Sequence, residues 1–171
     1  MKINKKGFTL IELLVVVLII GILASIALAQ YKLVVGKTQY TELKTLVSSL
    51  VESSQRFYLV NNVYPSKYED LDIAIDKTSN TRAYYDTSEF DFDLSNGVRC
   101  AITQNSNYVV CSKKFWGIRV GYYKTLDTNK PLWCITEGLE RTNMANRLCS
   151  AETGRDSNAI QCYSNHCYYP Y

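Results

Sequence analysis

KKGFTLIELLVVVLIIGILASIALAQYK, residues 5–32, decides how the rest of the chain is read. Two lysines and a glycine lead into an apolar run in which, from Phe8 to Ala29, the only charged residue is Glu12. At about 1.5 Å per helical residue, roughly 20 residues span about 30 Å, the thickness of the hydrocarbon core of a bilayer. The run is therefore a helix of membrane length with an acid near its start. That acid sits badly with three plain readings: a secretory signal gains nothing from it, a simple anchor is weakened by it, and a core helix would have to bury it. A carboxylate inside a membrane helix costs about 2.5–3.5 kcal/mol on insertion scales, so it calls for a partner or a function.

Helical periodicity continues past the run. Tyr40, Leu43, Leu46, Val47, Leu50, Val51, Phe57 and Tyr58 recur at three- and four-residue steps, with Lys37, Lys44, Glu52 and Arg56 among them as on a polar face. The pattern predicts one helix from near Phe8 to near Leu59, apolar all round over 8–29 and amphipathic over 30–60. NNVYP, residues 61–65, is the stop: Asn accepts left-handed C-terminal geometry, and Pro65 cannot continue a helix. Gly36 offers a place where the helix could loosen.

After Pro65 the period changes. Residues 66–83 are turn-rich with one short helical turn, whereas EFDFDL, residues 89–94, alternates strictly and reads as a half-buried strand. VRCAITQ and NYVVCSK flank the turn residues Asn105, Ser106 and Asn107; a hairpin symmetric about them sets Cys100 opposite Cys111, within reach of a disulfide. FWGIRVGYYK, residues 115–124, reads as a further strand. GLERTNMANRLC, residues 138–149, is mildly helical, and the remainder reads as a cysteine-pinned coil with a Tyr-rich end. The expected fold class is α+β: a long N-terminal helix packed on a small antiparallel sheet in a head over 61–171, with a disulfide-pinned C-terminal region.

Composition narrows the function. The 171 residues and 47% hydrophobic content hold one ordinary domain beside the N-terminal segment. Lys2, Lys5 and Lys6 precede Gly7; without them the remaining basic residues equal the 16 acidic ones, so the net charge of +3 belongs to a targeting segment and not to a nucleic-acid surface. All six cysteines, Cys100, Cys111, Cys134, Cys149, Cys162 and Cys167, lie in the C-terminal part. An even number behind an export segment predicts disulfides in an oxidising compartment, with 15 connectivities open. Zinc would need close ligand pairs such as CxxC, which do not occur, and His166, the only histidine, reads as a solvated loop imidazole. DFDLSNG, residues 91–97, has its glycine one place late for a calcium loop and Ile102 where a bidentate Glu belongs, so a strand leading to a turn is expected. One histidine in such a tail is a poor start for an active site, and neither enzyme activity nor a cofactor is expected. The 14 tyrosines read as packing and strand residues.

KKGFTLIELLVVVLIIGILASIAL resembles the N-terminal signature of type IV prepilins and type II secretion pseudopilins: basic leader, Gly7, aromatic Phe8, then Thr9-Leu10-Ile11-Glu12 and the apolar helix. NNVYPSKYEDLDI is similar to the helix-to-head junction of the same superfamily, and LWCITEGLERTNMANRLC to the C-terminal disulfide loop of some type IV pilins. The resemblance implies a leader over 1–7, kept on the cytoplasmic side, and a prepilin peptidase that cuts between Gly7 and Phe8 and methylates the new amine. It further implies a single-pass subunit of the bacterial inner membrane that an assembly platform draws out of the lipid. Identical or related subunits would form a helical filament with bundled helices inside and heads outside. Within that filament the Phe8 amine of one subunit would meet Glu12 of another; the alternative is a Glu12 that only reaches to the headgroups. Gly21, Ser25 and Ala29, four apart, form a small face for close helix approach. Many relatives carry proline at the place of Ala29, and its absence argues against a kink there. Expected bridges are Cys100 with Cys111, Cys134 with Cys149 and Cys162 with Cys167, the last two open to exchange. Two functions follow: a structural subunit of an extracellular type IV pilus for adhesion, motility or DNA uptake, or a pseudopilin of a periplasmic secretion piston.

Overall fold

The computed structural model describes residues 7–78, 89–103, 107–138, 143–156, 161–163 and 165–171. The leader residues Met1 to Lys6, residues 79–83 of the turn-rich stretch, the turn residues Asn105 and Ser106, and residues 139–142 of the mildly helical stretch lie outside these. The chain divides into two compact units with the boundary between Val35 and Gly36.

Helix α1, Leu10–Asn61, runs through both units without interruption. Its end is the one the NNVYP signal predicts: Asn62 is left-handed (φ 56) and its amide donates to the Tyr58 carbonyl at 2.7 Å. In the first unit the described apolar side chains of the helix are exposed from Leu10 to Leu28, while Leu33 and Val35 are half-buried. In the second, Tyr40, Leu43, Val47, Leu50 and Val51 form a fully buried stripe at three- and four-residue steps. Leu46 and Phe57 are only half-buried and Tyr58 is exposed, so the stripe is narrower than the periodicity alone suggests.

The head is built on one antiparallel sheet of eight strands. In chain order these are β1 Lys77–Thr78, β2 Glu89–Leu94, β3 Arg99–Thr103, β4 Tyr108–Phe115, β5 Ile118–Thr125, β6 Pro131–Glu137, β7 Gln161–Tyr163 and β8 His166–Pro170. Their spatial order is β1-β2-β3-β4-β5-β6-β8-β7. A 3₁₀ turn at Tyr68–Asp70 follows α1, and helix α2, Met144–Thr153, lies between β6 and β7. The helix α2 begins at Asn143, whose side chain accepts from the Asn146 amide, and stops at Gly154 in left-handed geometry (φ 68).

Alternation fixes the register. Phe92, Cys100 and Cys111 lie in one cross-strand row, and Tyr122 and Cys134 extend it over β5 and β6. All five are buried. Three contacts tie α1 to β5 and the residue that follows it. Tyr40 packs edge-on against Tyr122 with ring centroids 5.9 Å apart. Lys124 donates to Ser48 at 2.9 Å, and Gln55 to the Leu126 carbonyl at 2.7 Å. Each large apolar side chain so buried contributes roughly 1.5–3 kcal/mol. Tyr40 also shares a hydrogen bond of 3.0 Å with the hydroxyl of Tyr171, tying the last residue to the helix.

Three expectations are corrected. The strand expected over 115–124 begins later: Phe115 closes β4, Trp116 and Gly117 form a two-residue turn with positive φ (50 and 86), and β5 starts at Ile118. Trp-Gly is a weak hairpin signal beside Asn-Gly, which is why the turn is hard to read. The stretch expected to be coil contains β7 and β8, and β6 precedes the helical segment. His166 is half-buried in β8, opposite Glu137, and not in a loop.

Candidate functional site

The first turn of α1 answers the question that Glu12 raises. Thr9 is the residue before the helix, and Glu12 is the third residue within it. The Thr9 amide donates to Glu12 Oε2 at 2.8 Å, the Thr9 hydroxyl donates to the same oxygen at 2.6 Å, and the Glu12 amide reaches back to Thr9 Oγ1 at 3.4 Å. This is a capping box, in which side chains at both ends of a Thr-x-x-Glu unit satisfy amides that the helix leaves open. The acid is thus partnered within its own chain by Thr9, a residue to which the apolar pattern alone assigns no role. The Thr-x-x-Glu spacing was the signal. Oε1 of the same carboxylate makes no hydrogen bond among the described residues and is left for another donor.

Around the box the surface is open. Phe8 is 77% exposed. Gly7 and Gly21 have no atom within 4 Å of where a Cβ would stand. Ser25 donates its hydroxyl to the Ile22 carbonyl at 2.7 Å, so this small polar side chain asks nothing of its surroundings. Gly21 and Ser25 are spaced as expected on one face, while the side chain of Ala29 lies outside the described residues. An 18-residue window of this helix is long and apolar enough to cross a membrane, and none of it is buried within the chain.

The structure joins the six cysteines as Cys100–Cys111, Cys134–Cys149 and Cys162–Cys167. The first links β3 to β4 at paired positions, the second staples β6 to α2, and the third closes the β7–β8 hairpin. Beside the second bridge lies a buried polar network: the Asn146 carbonyl oxygen accepts from Tyr169 at 3.0 Å and from the Thr136 hydroxyl.

Among the described residues no group of three or more His, Cys, Asp or Glu side chains is placed to hold a metal. Asp93 of the DFDLSNG stretch pairs with Arg99 at 2.8 Å. A recess over β2–β6, bounded by Asp91, Arg99, Arg119, Glu137 and His166 among others, has a volume of about 50 Å³. Small-molecule sites begin at roughly 300 Å³.

An exposed membrane-length helix, capped by Thr9 and Glu12 behind a glycine and an aromatic residue, runs into an antiparallel sheet head with local disulfides. That combination resembles the plan of a pilin-type subunit. The prokaryotic N-terminal methylation motif matches residues 2–28. A type IV major pilin protein PilE of Neisseria gonorrhoeae is 26% identical over 152 residues, 89% of this chain and 86% of its own. A fimbrial protein of Neisseria meningitidis is 25% identical over 162 residues, 95% and 91% of the two chains. A fimbrial protein of Pseudomonas aeruginosa is 51% identical over 51 residues, 30% and 33%. No solved structure matches at a significant level. The chain is thus similar to type IV pilins along most of its length and most strongly at its N-terminus.

Proposed function

We propose that the protein is a structural subunit of a type IV pilus, cut between Gly7 and Phe8 by a prepilin peptidase that methylates Phe8, and assembled through its N-terminal helix into a filament. The observation that carries this is the unburied apolar half of α1 headed by the Thr9–Glu12 box. It needs lipid before assembly and other helices after it. Cutting turns the neutral amide of Phe8 into a cationic amine, and a neighbouring subunit shifted along the filament brings that amine to the open oxygen of Glu12. The cap keeps the carboxylate satisfied in the single subunit, and maturation supplies the second donor. Gly21 and Ser25 let helices approach closely. Peptidase, assembly platform, inner-membrane lipid and further copies are the partners this implies. The names of the relatives favour a surface pilus over a secretion piston.

The test is to shear cells of the source organism and analyse the released filaments by mass spectrometry. A chain beginning at N-methylated Phe8, abundant in surface filaments, is expected. Its absence there, with processed protein retained in the periplasm, would point to the piston.

A further inference from the structure

The turn between β4 and β5 places a tryptophan in left-handed geometry, and a bulky residue held at positive φ calls for a reason. Part of the reason is Gly36: a Cβ there would come within 2.6 Å of Trp116 Cη2, so the indole lies directly on the helix. Phe115 supports the ring from the side, with centroids 6.1 Å apart. That seat still leaves 42% of Trp116 exposed.

Three basic residues lie close to this seat along the chain. Lys37 follows Gly36, Lys114 lies two residues before Trp116, and Arg147 precedes Leu148, whose Cδ2 is 3.6 Å from the same Cβ position at Gly36. Lys114 and Arg147 are exposed, and none of the three makes an ion pair among the described residues. Glu137 and Glu152, the acids on neighbouring elements, face Arg119 and Lys44. Glu42, the nearest acid along α1, lies more than a turn farther on.

Gly36 stands seven residues beyond Ala29. Even a fully extended chain therefore keeps this end of the head within about 25 Å of the end of the apolar run, however the two units are disposed. A half-exposed indole, with Lys37, Lys114 and Arg147 close to its seat along the chain and without an ion pair among the described residues, matches within that reach an anionic bilayer surface, where tryptophan settles at headgroup level and basic side chains meet phosphates. A second copy is a poorer complement, because the body of the chain carries equal numbers of acids and bases.

We propose that this end of the head is a lipid-contact surface: Trp116 enters the headgroup layer and Lys37, Lys114 and Arg147 face anionic phosphates, holding the head of the unassembled subunit down on its own membrane. The proposal takes the anchoring of residues 8–29 from the reading above and needs no filament. The full chain carrying Trp133→Phe, which leaves Trp116 as the single tryptophan, is reconstituted at low density into phosphatidylcholine vesicles with and without phosphatidylglycerol. Lipids brominated close to the headgroup serve as quenchers. Trp116 should be quenched several-fold more strongly in the anionic vesicles, and Lys37→Glu, Lys114→Glu and Arg147→Glu together should remove the difference while peptide mapping still finds all three disulfides. Equal quenching in both lipids, or quenching that disappears as protein is diluted in the bilayer and so reports a second copy, would overturn it. A chain that does not float with vesicles would contradict the anchor and the surface together; one that floats with Trp116 unquenched would overturn the surface alone.

Discussion

The two halves of α1 are equally helical but differ in where their partners lie. From Leu10 to Leu28 the apolar side chains are exposed, as at Leu18, 64% exposed; over 36–61 a single stripe is buried, as at Leu50, fully covered. Helix propensity does not separate them. What does is the angular spread of the apolar residues: all round in the first half, where the partner is lipid or other helices, and one stripe in the second, where the partner is the same chain. The same helix can thus be anchor and core wall.

The largest expected effect comes from cutting at two places. A chain starting after Leu33 should be a soluble monomer, because the packed half is kept. One starting after Leu59 should aggregate, since the sheet loses the wall formed by Tyr40, Leu43, Val47, Leu50 and Val51. Size-exclusion chromatography reads both, and equal behaviour would break the comparison.

Point changes sharpen it. Leu50→Ala should cost the head about 2–5 kcal/mol in denaturant unfolding, whereas Leu18→Ala should change it by less than about 0.5. Opening Cys134–Cys149 by paired serine substitution should cost about 3 kcal/mol, and opening the shorter Cys162–Cys167 loop about 2, on loop entropy alone.

A smaller effect should appear with pH. Burial, with the adjoining Tyr171, holds the Tyr40 phenol well above the ordinary tyrosine value, and burial raises Tyr171 likewise. A neutral pair in the fold that ionises more readily when unfolded gives stability that is complete below about pH 10 and lost as pH rises toward the raised folded values. The unfolding temperature should fall as pH rises above about 10, and Tyr40→Phe should flatten the fall. Two opposing effects meet at Gly36→Ala. The added methyl favours helix by about 1 kcal/mol but displaces the indole, so the net change should stay within about 1 kcal/mol. In a Trp133→Phe background the emission of Trp116 should shift to the red.

Much of this architecture is legible in the residues. The helix and its stop at Asn61-Asn62, the strand over 89–94 and the Cys100–Cys111 hairpin follow from periodicity and symmetry about a turn. The strands β6 and β8 are harder to read because they pair with each other across an inserted helix, a long-range contact that no local pattern announces. The β4–β5 turn is hidden by a tryptophan in a place that usually favours Asn or Gly. At the candidate site Glu12 stands out by charge alone. Thr9 does not, since a threonine before a helix is ordinary until its hydroxyl is seen on the acid.

Glu12 is also where the account is most exposed to contradiction. On the function proposed above, Glu12→Leu removes an insertion cost together with the acceptor for the Phe8 amine, a charge that would then enter a low-dielectric filament core unpaired. The deciding measurement compares, for wild type and Glu12→Leu, the cleaved protein in membrane fractions and the filaments sheared from the same cells. The account predicts normal cleavage after Gly7 with few or no filaments; filaments at normal yield would contradict it.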